Sequence, residues 1–401
     1  MLKKLIPVTL LGLTAAAAVY LPEGFSLNDQ RLQPVLNSVV APVPNQAKRI
    51  EVVFALDTTG SMSGLIQTAK DKIWSIANTM ASAQPAPEIA IGLVAYRDRG
   101  DAYVTQVFDL TMDLDAIYAQ LIDFKAGGGG DGPESVNKAL DDALHEVSWS
   151  QDPDAYQVVF LVGDAPAHTD YQNERQFPEL ASLAARRGIV INTIRCGNAE
   201  KTAQQWQMIA AATNGEFFSV DQNGGALAIA TPYDQKMADL SAALDATRLG
   251  YGGSEDRARQ QEKKAATEKL YAEAPVAALA RRSAFNLSAS GDKNLYDQKD
   301  LIEDLDSGKV DLASINDDEL PAPLQALPAE AREELVAQTS AKRKALKAEL
   351  QTIAKERDAY LTEQAAAAPA AEASLDYQLF DAVKSQAAAK GLAYDEAAPK
   401  L

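Results

Sequence analysis

The chain has 401 residues, a formal net charge of −18 and a pI of about 4.6. That acidity argues against nucleic acid or an anionic membrane surface as the main partner, while 47% hydrophobic residues allow sizeable cores in two domains of ordinary size. Two His and a single Cys exclude His-based zinc or triad chemistry and any intramolecular disulfide.

The first 21 residues read as a targeting segment. Lys3 and Lys4 form a positive head, Leu5 to Leu13 an apolar core, and Ala15 to Ala18 supply small residues for cleavage. The apolar run from Leu5 to Leu21 reaches the lower limit for a spanning helix. The expectation is an exported protein, periplasmic or in the cell envelope. Its leader is then a cleaved signal peptide, or an N-terminal anchor that provides the membrane contact if cleavage does not occur. No Cys follows the apolar core, which excludes a lipoprotein. Residues 22–48, with four Pro, read as an exposed linker.

From residue 49 to about 247 short apolar runs alternate with helical patterns. Strands are predicted at 50–56, 89–96, 103–108, 157–163, 189–194 and 216–220. Helices are predicted at 62–82, 113–124, 134–148, 174–187, 200–213 and 232–247. This alternation implies an α/β fold, doubly wound, with a mostly parallel sheet. The polar turn Arg97 to Ala102 joins two of the runs as a hairpin and makes 103–108 an antiparallel edge strand. Cys196 ends an apolar run and reads as a buried thiol. Trp206 reads as packing its helix on the sheet, and His145 as a solvated helix residue.

Residues 248–401 read as a mostly α-helical C-terminal region. Gly250, Gly252 and Gly253 break the preceding pattern, and Asp256 to Ala272 is a charged helix. Residues 285–325 are mixed. A helix from Ala329 to about Gln364 follows Pro328. Leu346, Leu350, Ile353, Arg357 and Tyr360 form a heptad-like stripe on it, with Arg343 and Arg357 as interruptions. The stripe predicts one amphipathic helix packed on a partner helix, with a dimerising coiled coil as the alternative. An Ala/Pro-rich linker near 364–374 leads to a last amphipathic helix, Leu375 to about Lys390.

Three separated stretches carry the chemistry. Asp57, Thr59 and Ser61 follow the first strand directly. Gly127 to Gly130 precede Asp131, Pro133 and Glu134. Asp164 closes the apolar run Val158 to Val162. Each places oxygen donors just beyond the carboxyl end of a strand or at a helix start, where open α/β sheets bind ligands. Oxygen-only ligation suits a divalent cation, Mg²⁺ first and Mn²⁺ or Ca²⁺ as alternatives, rather than zinc. The glycine run lacks the Lys-Ser/Thr of a phosphate-binding loop. Arg97, Glu134 and His168 are candidates for the rim of the site. Glu134 is also readable as a first-turn acid favoured by the helix dipole.

These stretches resemble the metal-ion-dependent adhesion site of von Willebrand factor type A domains, over roughly residues 49–245. Asp57-Thr58-Thr59-Gly60-Ser61 is similar to the family's D-x-T-x-S motif. Asp164 is similar to its third-motif aspartate. The Gly-Gly-x-x-Asp-x-Pro-Glu and Gly-Asp-Ala-Pro stretches resemble a bacterial, hemicentin-like branch. The resemblance implies metal ligation by Asp57, Thr59, Ser61 and Asp164. Asp131 stands where the family usually offers a Thr and is the fifth candidate metal ligand, bound directly or one layer out from the ion. If all three aspartates bind directly, a divalent ion leaves the site at −1, which opposes an acidic ligand by roughly 3–4 kcal/mol at an effective dielectric constant near 20. The leading functional expectation is a cation-dependent module that binds a protein or cell-envelope partner, not an enzyme. The alternatives are a metal-dependent hydrolase and a structural protein whose metal only orders the loops.

Overall fold

The computed structural model describes residues 48–130, 132–220, 229–296, 299–367 and 374–395. The predicted targeting segment, nearly all of the predicted linker and Asp131 therefore lie outside the described residues.

β1 (Arg49–Asp57) leads through a 3₁₀ turn (Gly60–Gly64) into α1 (Ile66–Ala81). Then come β2 (Glu88–Tyr96), β3 (Thr105–Thr111), α2 (Leu114–Asp123), α3 (Val136–His145), β4 (Tyr156–Gly163), α4 (Phe177–Arg187), β5 (Val190–Cys196), α5 (Glu200–Ala212), β6 (Phe217–Val220) and α6 (Asp234–Asp245). The strand order is β3-β2-β1-β4-β5-β6. Only the β2–β3 pair is antiparallel, and it closes one edge. This is the expected doubly wound sheet with its antiparallel edge strand. β3 runs to Thr111, three residues past the predicted end, because pairing with β2 resumes after a register shift between Ile91 and Leu93.

The central strands are buried along almost their whole length, as helices on both faces of a parallel sheet require. Side chains alternate between two cores with the period of two expected of a strand. Val52, Phe54 and Leu56 enter one core with Trp74, Tyr118 and Phe160. Val53 and Ala55 enter the other with Leu140, Leu161, Leu180 and Trp206. The reversal of strand order between β1 and β4 leaves a crevice at their carboxyl ends, and the three motifs meet there.

The C-terminal region supplies α7 (Ser254–Glu273), α8 (Val276–Asn286), α9 (Asp292–Tyr296), α10 (Leu301–Asp306), α11 (Ala322–Gln325), α12 (Ala329–Ala367) and α13 (Leu375–Ala388). These helices complete the first core. Phe285 packs on Trp74 with ring centroids 6.0 Å apart. Leu375, Leu379, Phe380 and Val383 of α13 join the same cluster as Ile76 and Val220. Lys72 of α1 pairs with Asp376 at 2.6 Å in buried surroundings. Beyond α13, Ala393 bridges to Gln84.

The stripe on α12 faces the α6 side of the molecule. Leu350 is buried, and Tyr360 meets Tyr233 edge-on at 6.2 Å. The two arginines that interrupt the apolar pattern are themselves anchors. Arg343 pairs with Asp300 at 2.7 Å, and Arg357 with Asp234 at 2.8 Å. A buried guanidinium with a carboxylate partner is compatible with a helix seam, so the apolar pattern alone understated the contact.

Candidate metal centre

β1 delivers Asp57 to the carboxyl edge of the sheet, fully buried. Its Oδ1 accepts from the Thr59 backbone N–H at 2.9 Å and from Thr59 Oγ1 at 2.7 Å. Thr59 Oγ1 lies 3.1 Å from Ser61 Oγ, and Ser61 Oγ donates to Asp164 Oδ1 at 2.9 Å. The first and third motifs are thus joined by a chain of oxygen contacts across 103 residues of sequence.

Gly163 makes this approach feasible. A Cβ there would stand 2.8 Å from Asp57 Cβ and 2.5 Å from Tyr96 Oη, closer than any side chain can pack.

The glycine run lies over the first motif. Gly60 N–H donates to the Gly128 carbonyl at 3.1 Å, and Gly127 N–H to the Thr58 carbonyl at 3.1 Å. Gly128 and Gly129 have φ of +78° and +80°, a region that favours glycine. Gly129 N–H donates to the Asp101 carboxylate at 2.9 Å. The N–H groups of Gly127 and Gly129 thus serve protein acceptors rather than a phosphate.

Three candidates for the rim occupy different places. Glu134 precedes the N-cap Ser135 of α3, so it is not a first-turn acid. It is 3% exposed, and its Oε1 approaches Gly129, where a Cβ would lie 3.1 Å away. His168 is buried rather than at the rim. Its ring stacks on Tyr171 at 3.8 Å, Nδ1 contacts Asp170 Oδ1 at 2.8 Å, and Nε2 lies 3.3 Å from Asp98 Oδ2. Backbone bonds from Glu134 to Pro166 and from His168 to Glu134 tie the second and third motif loops together. Arg97 reaches beneath the glycine run, donating to the Lys125 carbonyl at 2.8 Å and packing over the Tyr103 ring.

Sequence reasoning missed Asp101 and read Asp98 only as part of the charged hairpin tip beside Arg97. Asp98 accepts from Ser135 Oγ at 2.9 Å and from Tyr171 Oη at 2.8 Å. Their signal was present as acidic residues on the hairpin that follows β2, but the partners come from distant loops.

Burial pushes the Asp57 pKa up to about 7 against the pull of its Thr59 hydrogen bonds, and Asp164 adds to the rise. Burial also raises Asp164. Glu134 goes to about 9, through burial first and then the charges of Asp57, Asp98, Asp101 and Asp164. Asp57 Oδ2 and Glu134 Oε2 are buried without a hydrogen-bond partner. Buried acceptors of this kind normally find a donor or a cation. Among the described residues no group of three or more His, Cys, Asp or Glu gathers as a ligand cluster. The described donors are instead two carboxylates and two hydroxyls, a hard oxygen set that fits a divalent cation.

Residues 51–232 match a family model described as the von Willebrand factor A domain. This segment is a von Willebrand factor A domain. The alpha-protein kinase vwkA of Dictyostelium discoideum is 28% identical over 126 residues, which is 31% of this chain and 20% of that protein. The chain therefore spans about a fifth of the length of the curated relative it matches. Among solved structures, the VWA domain of SpRpn10 aligns at 18% identity and a TM-score of 0.35, covering 44% of this chain and 89% of that one. BatB from Bacteroides thetaiotaomicron aligns at 16% identity and 0.34, covering 55% and 99%. Proximal thread matrix protein 1 from the mussel byssus, in a structure titled as having a zinc-occupied MIDAS motif, aligns at 18% identity and 0.35, covering 43% and 42%.

Proposed function

We propose that this chain is an exported, divalent-cation-dependent binding module that grips a protein or cell-envelope partner at the loop end of its von Willebrand factor A domain. One observation carries the reading. Asp57 is buried with Oδ1 engaged and Oδ2 unpartnered, beside the Ser61–Asp164 contact. Asp57, Thr59, Ser61 and Asp164 would hold the ion, with Mg²⁺ the first choice and Mn²⁺ or Ca²⁺ the alternatives. When bound, the cation would offer an open coordination position to an oxygen ligand of the partner. Asp98, Asp101, His168 and Arg97 hold the surrounding loops in register. Export is supported by the charged head and apolar run of residues 1–21.

The test is a thermal unfolding series on residues 45–401 with EDTA, Mg²⁺, Mn²⁺ and Ca²⁺, beside Asp57→Ala. A ligand present at 100 times its dissociation constant stabilises the native state by about 2.7 kcal/mol, readily seen as a rise in Tm. The expected result is a cation-specific rise that Asp57→Ala abolishes. No shift with any of the three cations would overturn the reading.

A further inference from the structure

In the C-terminal region an open groove of about 640 Å³ runs between the first half of α12 and the end of α10 with the turn that follows it. Its floor is made by Leu305, Val310, Leu312 and Val336, all half-buried. They pack on the small cluster of Leu301, Leu320 and Leu324, apart from the two sheet cores. The α12 wall carries Glu333, Val336, Ala337, Ser340, Ala341 and Lys344, which is the three-and-four spacing of one helix face. Ala337 and Ala341 are exposed on that face and leave room for another backbone to approach. A contiguous apolar strip rimmed by polar residues marks an interaction site.

The charge around the groove is one-sided. Eleven acidic and two basic residues stand between Asp300 and Glu334, a net −9 that is half of the chain's −18. The nearby cations are already taken. Lys309 lies 3.2 Å from Asp304, Arg332 2.6 Å from Asp317, and Lys344 3.0 Å from Asp306. Asp311 and Glu333 come from opposite walls, and among the described residues no cation lies within ion-pair distance of either. An anionic rim over an apolar floor disfavours a second copy of this acidic chain or an anionic lipid surface and selects a cationic, amphipathic partner. The walls are helices and a turn, so they offer no strand edge for an extended peptide to pair with. A helix laid in the groove is the mode of polypeptide recognition that fits.

We propose that this groove binds a basic amphipathic helix of a partner protein, its apolar face on Leu305, Leu312 and Val336 and its Lys or Arg side chains against Asp311 and Glu333. The surface is separate from the candidate metal centre and does not use its cation.

The experiment is fluorescence anisotropy of labelled Leu/Lys peptides, about five helical turns long with Leu at helical spacing, titrated with the full chain. A shuffled peptide of the same composition, without an apolar face, is the control. The amphipathic peptides bind about tenfold or more tightly than the shuffled one, and binding weakens as salt rises. Glu333→Lys weakens binding about three- to tenfold, the value of one or two exposed ion pairs. Glu363→Lys makes the same charge change at an exposed position near the far end of α12 and leaves binding unchanged. Ala337→Arg, on exposed helix surface, obstructs the groove and abolishes binding at unchanged Tm. EDTA and Asp57→Ala have no effect, so the result stands whether or not a cation binds at the motif loops. No preference over the shuffled peptide, equal weakening by Glu333→Lys and Glu363→Lys, or unchanged affinity in Ala337→Arg would overturn the proposal.

Discussion

Arg282 of α8 is the most demanding joint between the sheet domain and the C-terminal helices, and replacing it by Met tests how the two are held. The side chain is fully buried, as is Asp115 of α2. Arg282 meets Asp115 as a fork, Nε to Oδ1 and Nη2 to Oδ2, both at 2.6 Å. Its remaining nitrogen, Nη1, donates to Asp245 Oδ2 at 2.8 Å and to Ser241 Oγ at 3.1 Å. Arg282→Met keeps the volume but leaves Asp115 with only Lys263, at 3.1 Å, among the cations within ion-pair distance in the described residues, and Asp245 with Arg248 at 3.3 Å. Removing one member of a buried pair costs about 3–5 kcal/mol, a large part of the roughly 5–15 kcal/mol that holds a domain together.

The cost depends on pH. Burial alone would raise the Asp115 carboxyl, but Arg282 and then Lys263 overcome this and hold it well below the usual carboxylate range. A depressed folded-state carboxylate contributes its stability in full above the unfolded pKa of about 4, and the contribution fades as pH falls below that value. The difference between wild type and Arg282→Met should therefore be greatest near neutral pH and shrink in acid. Urea unfolding followed by tryptophan fluorescence at several pH values measures it. A loss below about 1 kcal/mol near neutrality, or a loss that does not change with pH, would refute this account of the joint.

Phe380→Ala empties a site where the ring meets Tyr394 at 5.9 Å. It should destabilise the sheet domain itself by about 3–5 kcal/mol, read as one cooperative loss in urea. Independent melting of the helices at unchanged sheet stability would count against a shared core. Gly163→Ala drives a methyl into Asp57 and Tyr96. It should cost about 1–3 kcal/mol and weaken cation binding by about tenfold or more, measured by calorimetric titration; normal affinity would mean that the close approach is dispensable. Asp57 and Glu134 have raised folded pKa values, about 7 and about 9, so their ionisation destabilises the cation-free fold as pH rises above the unfolded carboxylate range. Cation-free protein should melt higher at about pH 5.5 than at about pH 7.5, and added Mg²⁺ should stabilise more at the higher pH because ligation competes with protons. Equal Mg²⁺ effects at both pH values would contradict this.

The fold of the first half was legible because its strands are long apolar runs and its helices carry a clear face. Predicted strand starts at 50, 89 and 157 each fall within one residue of β1, β2 and β4. That Asp57, Thr59, Ser61 and Asp164 come together was legible for a related reason, since each lies at or just past the end of a sharply defined strand. What could not be read is pairing between side chains far apart in sequence. Nothing local marks Asp101 as the acceptor for Gly129 or places His168 inside rather than at a rim. The arginines of α12 are the clearest case. A pattern argument scores Arg343 and Arg357 as breaks in an apolar seam, because it cannot know that Asp300 and Asp234 wait opposite them.

The joints share one logic. Lys72–Asp376, Arg282–Asp115, Arg343–Asp300 and Arg357–Asp234 all join elements distant in sequence through buried charge pairs. Such pairs add less net stability than well-packed apolar residues would, but each is costly to break by halves. They therefore favour one arrangement of the helices over near alternatives of similar apolar contact. Two of them end on α1 and α2, and α1 follows directly from the turn that carries Ser61. The C-terminal helices thus fix the helix that leaves the candidate metal centre, while Gly163 and the glycine run fix the loops around it. Rigidity at the centre is supplied from both sides, so the carboxylates of Asp57 and Asp164 stay close despite their mutual repulsion.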